Sequence, residues 1–280
     1  MAVKRDTSLN FRQFKVGPWQ VEYLIFGRGN EMLLAFHGFD NDAQDLKVFE
    51  TSLGEDFTII SVNLFFHGNS TYTGEADKVR FDREQLKLVM DELLISCNVN
   101  RFSLLGYSLG GRVCLTLAEL YPDRIDRLFL LASDGLIINR WYSFLTATYF
   151  GREVFRRVVR RPDLFLTTAE LFRKLKVVGE KQYKFARSYF DTQEKREKVF
   201  KVWMIYRLLL PNQKLVATNI REQRISCHLL FGSRDTIIPS KNANRLIKEA
   251  GSTCHVHLIE TGHQLIRPDV GKFIKENCLK

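Results

Sequence analysis

Six short stretches of the chain are apolar or β-branched at nearly every position: MLLAFHG (32–38), FTIISVNLF (57–65), RFSLLG (101–106), RLFLLAS (127–133), CHLLFG (227–232) and CHVHLIE (254–260). Continuous runs of this length suit strands of a sheet covered on both faces. QVEYLIFG (20–27) alternates more and predicts an outer antiparallel strand. Helical spacing falls between the runs, over 81–96, 111–120 and 241–250, with a last helix over 268–277. Strand and helix therefore alternate, which predicts a doubly wound, mostly parallel α/β sheet.

Residues 135–224 break this rhythm. They are rich in Phe, Tyr, Leu, Lys and Arg and hold no strand pattern. FLTTAELFRKLKVVG (165–179) and EKREKVFKVWMIYRLLL (194–210) both carry helical spacing, and Gly151, Pro162, Gly179 and Pro211 are candidate breaks. The expected organisation is a core domain of residues 1–134 and 225–280, interrupted by a helical insertion at 135–224.

The net charge of +10 raises the question of a polyanionic partner. Its distribution answers it. Residues 140–224 hold 20 Lys/Arg against 8 Asp/Glu, while the rest of the chain is nearly balanced. No nucleic-acid-binding module is visible, so no nucleic-acid partner is expected. The five cysteines (Cys97, Cys114, Cys227, Cys254, Cys278) are scattered, with neither a CxxC pair nor metal-ligand spacing. They read as reduced thiols of a cytoplasmic protein. MAVKRDTSLN has no apolar stretch after its charges, so no secretory signal is expected. No run reaches the roughly 18 apolar residues of a membrane span.

The chemistry concentrates at strand ends. GYSLGG puts Ser108 between Gly106 and Gly110, where a strand run meets a helix pattern. A serine in so tight a turn is forced outward, and the helix behind it aims N–H groups at whatever it binds. A serine hydroxyl alone is a weak nucleophile and needs a base, which in turn needs an orienting carboxylate. FGSRDTIIP supplies Asp235 after one strand run, and ETGHQL supplies His263 after the last. Asp134 ends another strand run and competes with Asp235 for the acid's place. Two N–H donors for an oxyanion are expected from Leu109 and from Phe39 in AFHGFDND. Losing one such donor typically costs about 3–4 kcal/mol of transition-state stabilisation. His37 and His67 sit in turns, and His228, His255 and His257 lie within strand runs, so all five read as structural. Trp141, Tyr142, Phe144 and Trp203 read as the core of the insertion.

HGF at His37–Phe39, GYSLGG at Ser108, GSRD at Asp235, Pro239, and GH at His263 together resemble the α/β-hydrolase-fold family over almost the full chain. The resemblance implies a Ser108–His263–Asp235 triad and a helical cap at 135–224. It also implies a serine hydrolase acting through an acyl-enzyme on a carboxylic ester, thioester or related small carbonyl compound bound under the cap, with no cofactor and no metal. Many relatives carry Asp-x-x-Gly-His-Gly-x-Ser where this chain reads NLFFHGNS, with Asn63 for the Asp and Phe66 for the Gly. GYSLGGR is also the form seen in the menaquinone-pathway synthase that eliminates pyruvate to make succinyl-hydroxycyclohexadiene carboxylate. That second resemblance implies a lyase using the same triad on an anionic substrate, gripped by Arg112. Tyr107, Arg112 and Asp134 are therefore candidate substrate contacts. Arg140, Arg152, Arg156, Arg157, Arg160 and Arg161 form a solvated surface, line an anion-attracting pocket, or touch an anionic membrane surface. The oligomeric state has no signature in the sequence.

Overall fold

The computed structural model describes residue 6 and residues 8–163, 167, 170, 187 and 189–279. Its strands are β1 (Arg12–Val16), β2 (Trp19–Gly27), β3 (Glu31–Phe36), β4 (Phe57–Val62), β5 (Thr71–Tyr72), β6 (Phe102–Tyr107), β7 (Ile125–Leu131), β8 (Ser226–Gly232) and β9 (Cys254–Ile259). Its helices are α1 (Glu50–Leu53), α2 (Arg83–Ser96), α3 (Leu109–Leu120), α4 (Arg140–Ala147), α5 (Tyr149–Arg160), α6 (Gln193–Tyr206), α7 (Gln213–Glu222), α8 (Asn244–Ala250) and α9 (Pro268–Cys278). Contacts divide the chain into two units. Met1–Thr73, Asp82–Ile137 and Leu209–Lys280 make the larger; Gly74–Phe81 and Ile138–Leu208 make the smaller.

The larger unit holds one sheet in the order β1-β2-β4-β3-β6-β7-β8-β9, with β5 beside β2. β2 runs antiparallel to β1, β4 and β5, and every other pairing is parallel. All six predicted runs are strands here. β6 is buried at every position, and Leu33, Leu34, Leu104, Leu105, Leu128 and Leu229 expose nothing. Each such leucine contributes about 1.5–3 kcal/mol relative to an exposed one. β2 is not outermost: β1 covers it, joined by a two-residue hairpin in which Val16 pairs with Trp19. β3 lies between β4 and β6, so the strand order changes direction there. That switch point is where α/β sheets open a crevice at the strands' carboxyl ends.

α2 shows how pattern becomes helix. Asp82 caps it by accepting the Gln85 N–H, and Leu86, Val89, Met90, Leu93 and Leu94 form its buried face at 3–4-residue spacing. α3 packs on β3, β6 and β7, and α7 packs on α3 and α8. α7 therefore belongs to the larger unit. The insertion expected to run to Arg224 ends by contacts at Leu208, and Gly74–Phe81 joins it.

The smaller unit is helical. The ring of Trp203 on α6 meets Tyr142 of α4 at 5.2 Å and Phe155 of α5 at 5.3 Å. Arg207 is buried and donates to the carbonyls of Ala76, Met204, Asp77 and Val79, which ties 74–81 to the end of α6. Trp141 does not join this core as expected: it is 74% exposed, and Phe144 is 38% exposed. Gly151 is not a break either. It lies in the first turn of α5, where a Cβ would come within 2.0 Å of the Phe144 carbonyl oxygen. Pro162 does follow the end of α5, and Pro211 precedes the cap of α7 at Asn212. The expected helix at 165–179, with Gly179, lies outside the described residues except for 167 and 170. Among the described residues no helix is long and apolar enough to cross a membrane.

Candidate active site

Ser108 stands between β6 and α3 with φ 49° and ψ −113°, a conformation that L residues avoid. Three hydrogen bonds hold it there. Its N–H donates to the Leu131 carbonyl, and its own carbonyl accepts from Gly111 and Asp134, each at 2.9 Å. The neighbouring glycines leave no room for a side chain. A Cβ at Gly110 would sit 2.1 Å from the Phe36 carbonyl oxygen, and one at Gly106 would sit 2.7 Å from Cys114 Sγ. The turn thus wedges between β3 and α3, and Ser108 is the member whose side chain escapes.

His263 follows β9, and its Nε2 lies 3.3 Å from Ser108 Oγ. On the other side, His263 Nδ1 lies 2.8 Å from Asp235 Oδ2. Asp235 Oδ1 accepts from the N–H groups of Ile237 at 2.8 Å and Ile238 at 3.0 Å. The Asp235 carboxyl is held below its usual range. Burial alone would raise it, and the bonds from His263 and the two backbone N–H groups outweigh that effect. The structure brings Ser108, His263 and Asp235 into one hydrogen-bonded line. With Asp235 accepting the Nδ1–H, Nε2 presents a lone pair to the serine hydroxyl.

Phe39 lies in the loop after β3, beside the turn: a Cβ at Gly38 would meet Ser108 Cβ at 3.2 Å. His37 stiffens this loop, its Nδ1 donating to the Gly38 carbonyl and its Nε2 accepting from the Leu64 N–H. Leu109 is the first residue of α3, where an N–H has no acceptor within the helix. Tyr107 is buried, and its hydroxyl donates to Gln264, a contact with no sequence signal.

Arg112 and Asp134 are brought onto each other. Arg112 is 4% exposed, and its guanidinium lies 2.5 Å from Asp134 Oδ2, while Asp134 Oδ1 accepts from the Gly135 N–H. Asp134 therefore serves Arg112 and is not the acid beside His263. Asp134→Ala takes this partner from a buried guanidinium. It is expected to cost about 2–3 kcal/mol, below the range for fully buried pairs because Asp134 is partly exposed. Thermal unfolding in a calorimeter checks it: a fall of several degrees is expected.

The NLFFHGNS segment has its own logic. Glu22 is fully buried on β2, and Asn63 Nδ2 donates to its Oε2 at 2.7 Å. The N–H of Asn69 meets the same oxygen, and Asn69 Nδ2 meets Oε1. An Asp at 63 would set two carboxylates face to face, so the amide is needed. Phe66 keeps the left-handed turn that glycine makes easily, at φ 65°.

The arginines of the smaller unit are partly committed within it. Arg156 pairs with Asp77 and Glu153, Arg157 with Glu153, and Arg152 donates to the Thr146 and Ala147 carbonyls. Arg140, Arg160 and Arg161 are exposed. Away from the site, burial first, and then the neighbouring His257, His255 and Arg127, push the His228 imidazole down to about 4.

A family described as alpha/beta hydrolase fold matches residues 29–265. An uncharacterized protein of Mycobacterium tuberculosis is 30% identical over 135 residues, which is 47% of this chain and 38% of that protein. The chain thus spans well under half the length of that relative. An uncharacterized hydrolase of Bacillus subtilis is 22% identical over 94% of this chain and 97% of its own length. Among solved structures, a thermophilic esterase from Thermogutta terrifontis superposes with a TM-score of 0.65 at 18% identity, covering 95% of this chain and 97% of that one. The central sheet, the residues it gathers and a family match over most of the chain agree: this chain belongs to the α/β-hydrolase family.

Proposed function

We propose that this protein is a hydrolase that cleaves a carboxylic ester, thioester or related small carbonyl compound through an acyl-enzyme on Ser108. The observation that carries the reading is the hydrogen-bonded line from Asp235 through His263 to a serine held at φ 49°. Ser108 Oγ attacks the carbonyl carbon as its proton passes to His263 Nε2. The carbonyl oxygen takes the electron pair and accepts hydrogen bonds from the N–H groups of Phe39 and Leu109. The tetrahedral intermediate collapses, and the leaving alcohol or thiol takes the proton back from His263. Water then repeats the cycle on the acyl-enzyme and frees the acid. Asp235 fixes the tautomer and steadies the imidazolium. The 3.3 Å from Nε2 to Oγ is loose, as is common without substrate, and tightens in the complex. The Thermogutta terrifontis esterase, alike in fold, supports an ester as the default substrate.

The lyase reading needs Arg112 to grip a substrate carboxylate. Its guanidinium already has a carboxylate partner in Asp134, so no observation favours that reading. Intact mass after treatment with a fluorophosphonate tests the proposal. One adduct per chain, together with turnover of short nitrophenyl esters, is expected. Folded protein that takes no adduct overturns it.

A further inference from the structure

A second cluster of chemically capable side chains lies at the other end of the sheet. His228 is the third residue of β8, His257 the fourth of β9, and Cys278 the last of α9. In the parallel β8–β9 pairing His228 faces His255, and His257 is two residues further along the same face. The three imidazoles thus share the side of the sheet on which α9 packs, and Cys278 reaches down onto them. His263 and Asp235 lie beyond the opposite, carboxyl ends of the same two strands, so the two clusters are separate.

The geometry is close to that of a metal site. One ligand atom from each of His228, His257 and Cys278 lies within 4.8 Å of the other two. His228 Nδ1 is 3.1 Å from His257 Nε2, and Cys278 Sγ is 3.9 Å from the same nitrogen. Tetrahedral zinc with bonds of about 2.05 Å to nitrogen and 2.3 Å to sulfur sets nitrogen–nitrogen edges of about 3.3 Å and nitrogen–sulfur edges of about 3.6 Å. The two given edges match these to within about 0.3 Å, and the third closes by about an ångström through rotation of the cysteine side chain.

The surroundings add what such a site requires. Ser226 Oγ lies 3.0 Å from His228 Nε2, and by accepting its N–H it leaves the Nδ1 lone pair aimed at the cluster. His228 is stacked on Phe129 at 5.8 Å, and His257 meets Phe273 edge-on at 5.2 Å, so both rings are held by packing. Ser226 and Cys278 also line a surface cavity of about 510 Å³, shared with Glu31, Asp126 and Arg127, so the cysteine side of the cluster borders open space. Arg127 at this cavity is paired with Glu31.

We propose that His228 Nδ1, His257 Nε2 and Cys278 Sγ form a binding site for one zinc(II)-class transition-metal ion, which fastens the C-terminal helix to the last two strands. Two imidazoles and a thiolate select borderline and soft ions over calcium or magnesium. Binding releases the thiol proton to solvent and leaves the metal's charge unchanged.

The test uses the full, tag-free chain with cobalt(II) as a visible probe. One equivalent is expected to give the intense absorption of a tetrahedral site together with a thiolate-to-cobalt charge-transfer band. Zinc is expected to displace it. Cys278→Ser is expected to abolish the charge-transfer band, and His257→Gln to weaken binding at least tenfold, both with unchanged circular dichroism. Zinc is further expected to raise the thermal midpoint of the native chain but not of Cys278→Ser. Absence of stoichiometric binding to the folded native chain overturns the proposal. So does binding that Cys278→Ser and His257→Gln leave intact.

Discussion

Ser108→Ala lowers kcat for ester hydrolysis by about 10⁴–10⁶-fold and abolishes the fluorophosphonate adduct. Steady-state kinetics and intact mass are the measurements. The size of the loss follows from the role. Without the hydroxyl no acyl-enzyme forms, and what remains is the contribution of the N–H donors and of binding to direct attack by water. KM is expected to stay within a few-fold, since the serine is one small contact in the ground state. A companion variant separates chemistry from folding. Ser108 holds φ 49° and ψ −113°, which costs a non-glycine residue roughly 1–3 kcal/mol. Glycine adopts it freely and loses roughly 0.5–1 kcal/mol in unfolded-chain entropy. Ser108→Gly should therefore be as inactive as Ser108→Ala and more stable by about 1 kcal/mol. A Gly variant that unfolds at lower temperature than the native chain would mean that the turn is not strained.

What the sequence discloses and what it hides divide along physical lines. β3, β4, β6, β7 and β8 are legible because strands covered on both faces must be apolar throughout. β1 (RQFKV) is mostly exposed and keeps only Phe14 and Val16 in alternation before a Gly-Pro turn, too weak a pattern to stand out. Ser108, Asp235 and His263 could be read because each follows a strand run at once, and a parallel sheet gathers such positions at one edge. The bond between Arg112 and Asp134 could not: it joins residues 22 apart through a side-chain direction that no spacing encodes. α7 shows a similar limit, since helical spacing says that a face is buried and not against what. The pairing of Asn63 with Glu22 spans 41 residues, so the sequence alone shows an asparagine in the place of an aspartate and not the buried carboxylate that requires it. His228, His257 and Cys278 carry no motif because the three come from two strands and a helix spread over 51 residues of chain.

Asp235→Asn is expected to lower kcat by about 10⁴-fold while the fold persists, and the surroundings of the carboxylate say why so small a change does so much. Oδ1 is claimed by the N–H groups of Ile237 and Ile238. An asparagine can satisfy those two donors only with its own oxygen, which turns its NH₂ toward His263. Nδ1 must then accept, the ring proton moves to Nε2, and the nitrogen facing Ser108 can no longer take a proton. The two backbone donors thus turn an isosteric replacement into an enforced wrong tautomer. Asp134 has no such reach, because its carboxylate is on Arg112, so the loss in Asp134→Ala should appear in stability. The same bonds set the acid behaviour of Asp235. Its folded-state carboxyl lies below the ordinary range, so its stabilisation is present at pH values above that range and is lost as pH falls through the lowered value. Acid unfolding of the native chain should therefore show a contribution at the low end of the carboxylate range that Asp235→Asn lacks, read by circular dichroism against pH. If Asp235→Asn keeps kcat within tenfold of the native chain, another group orients His263 and the assignment of Asp235 fails.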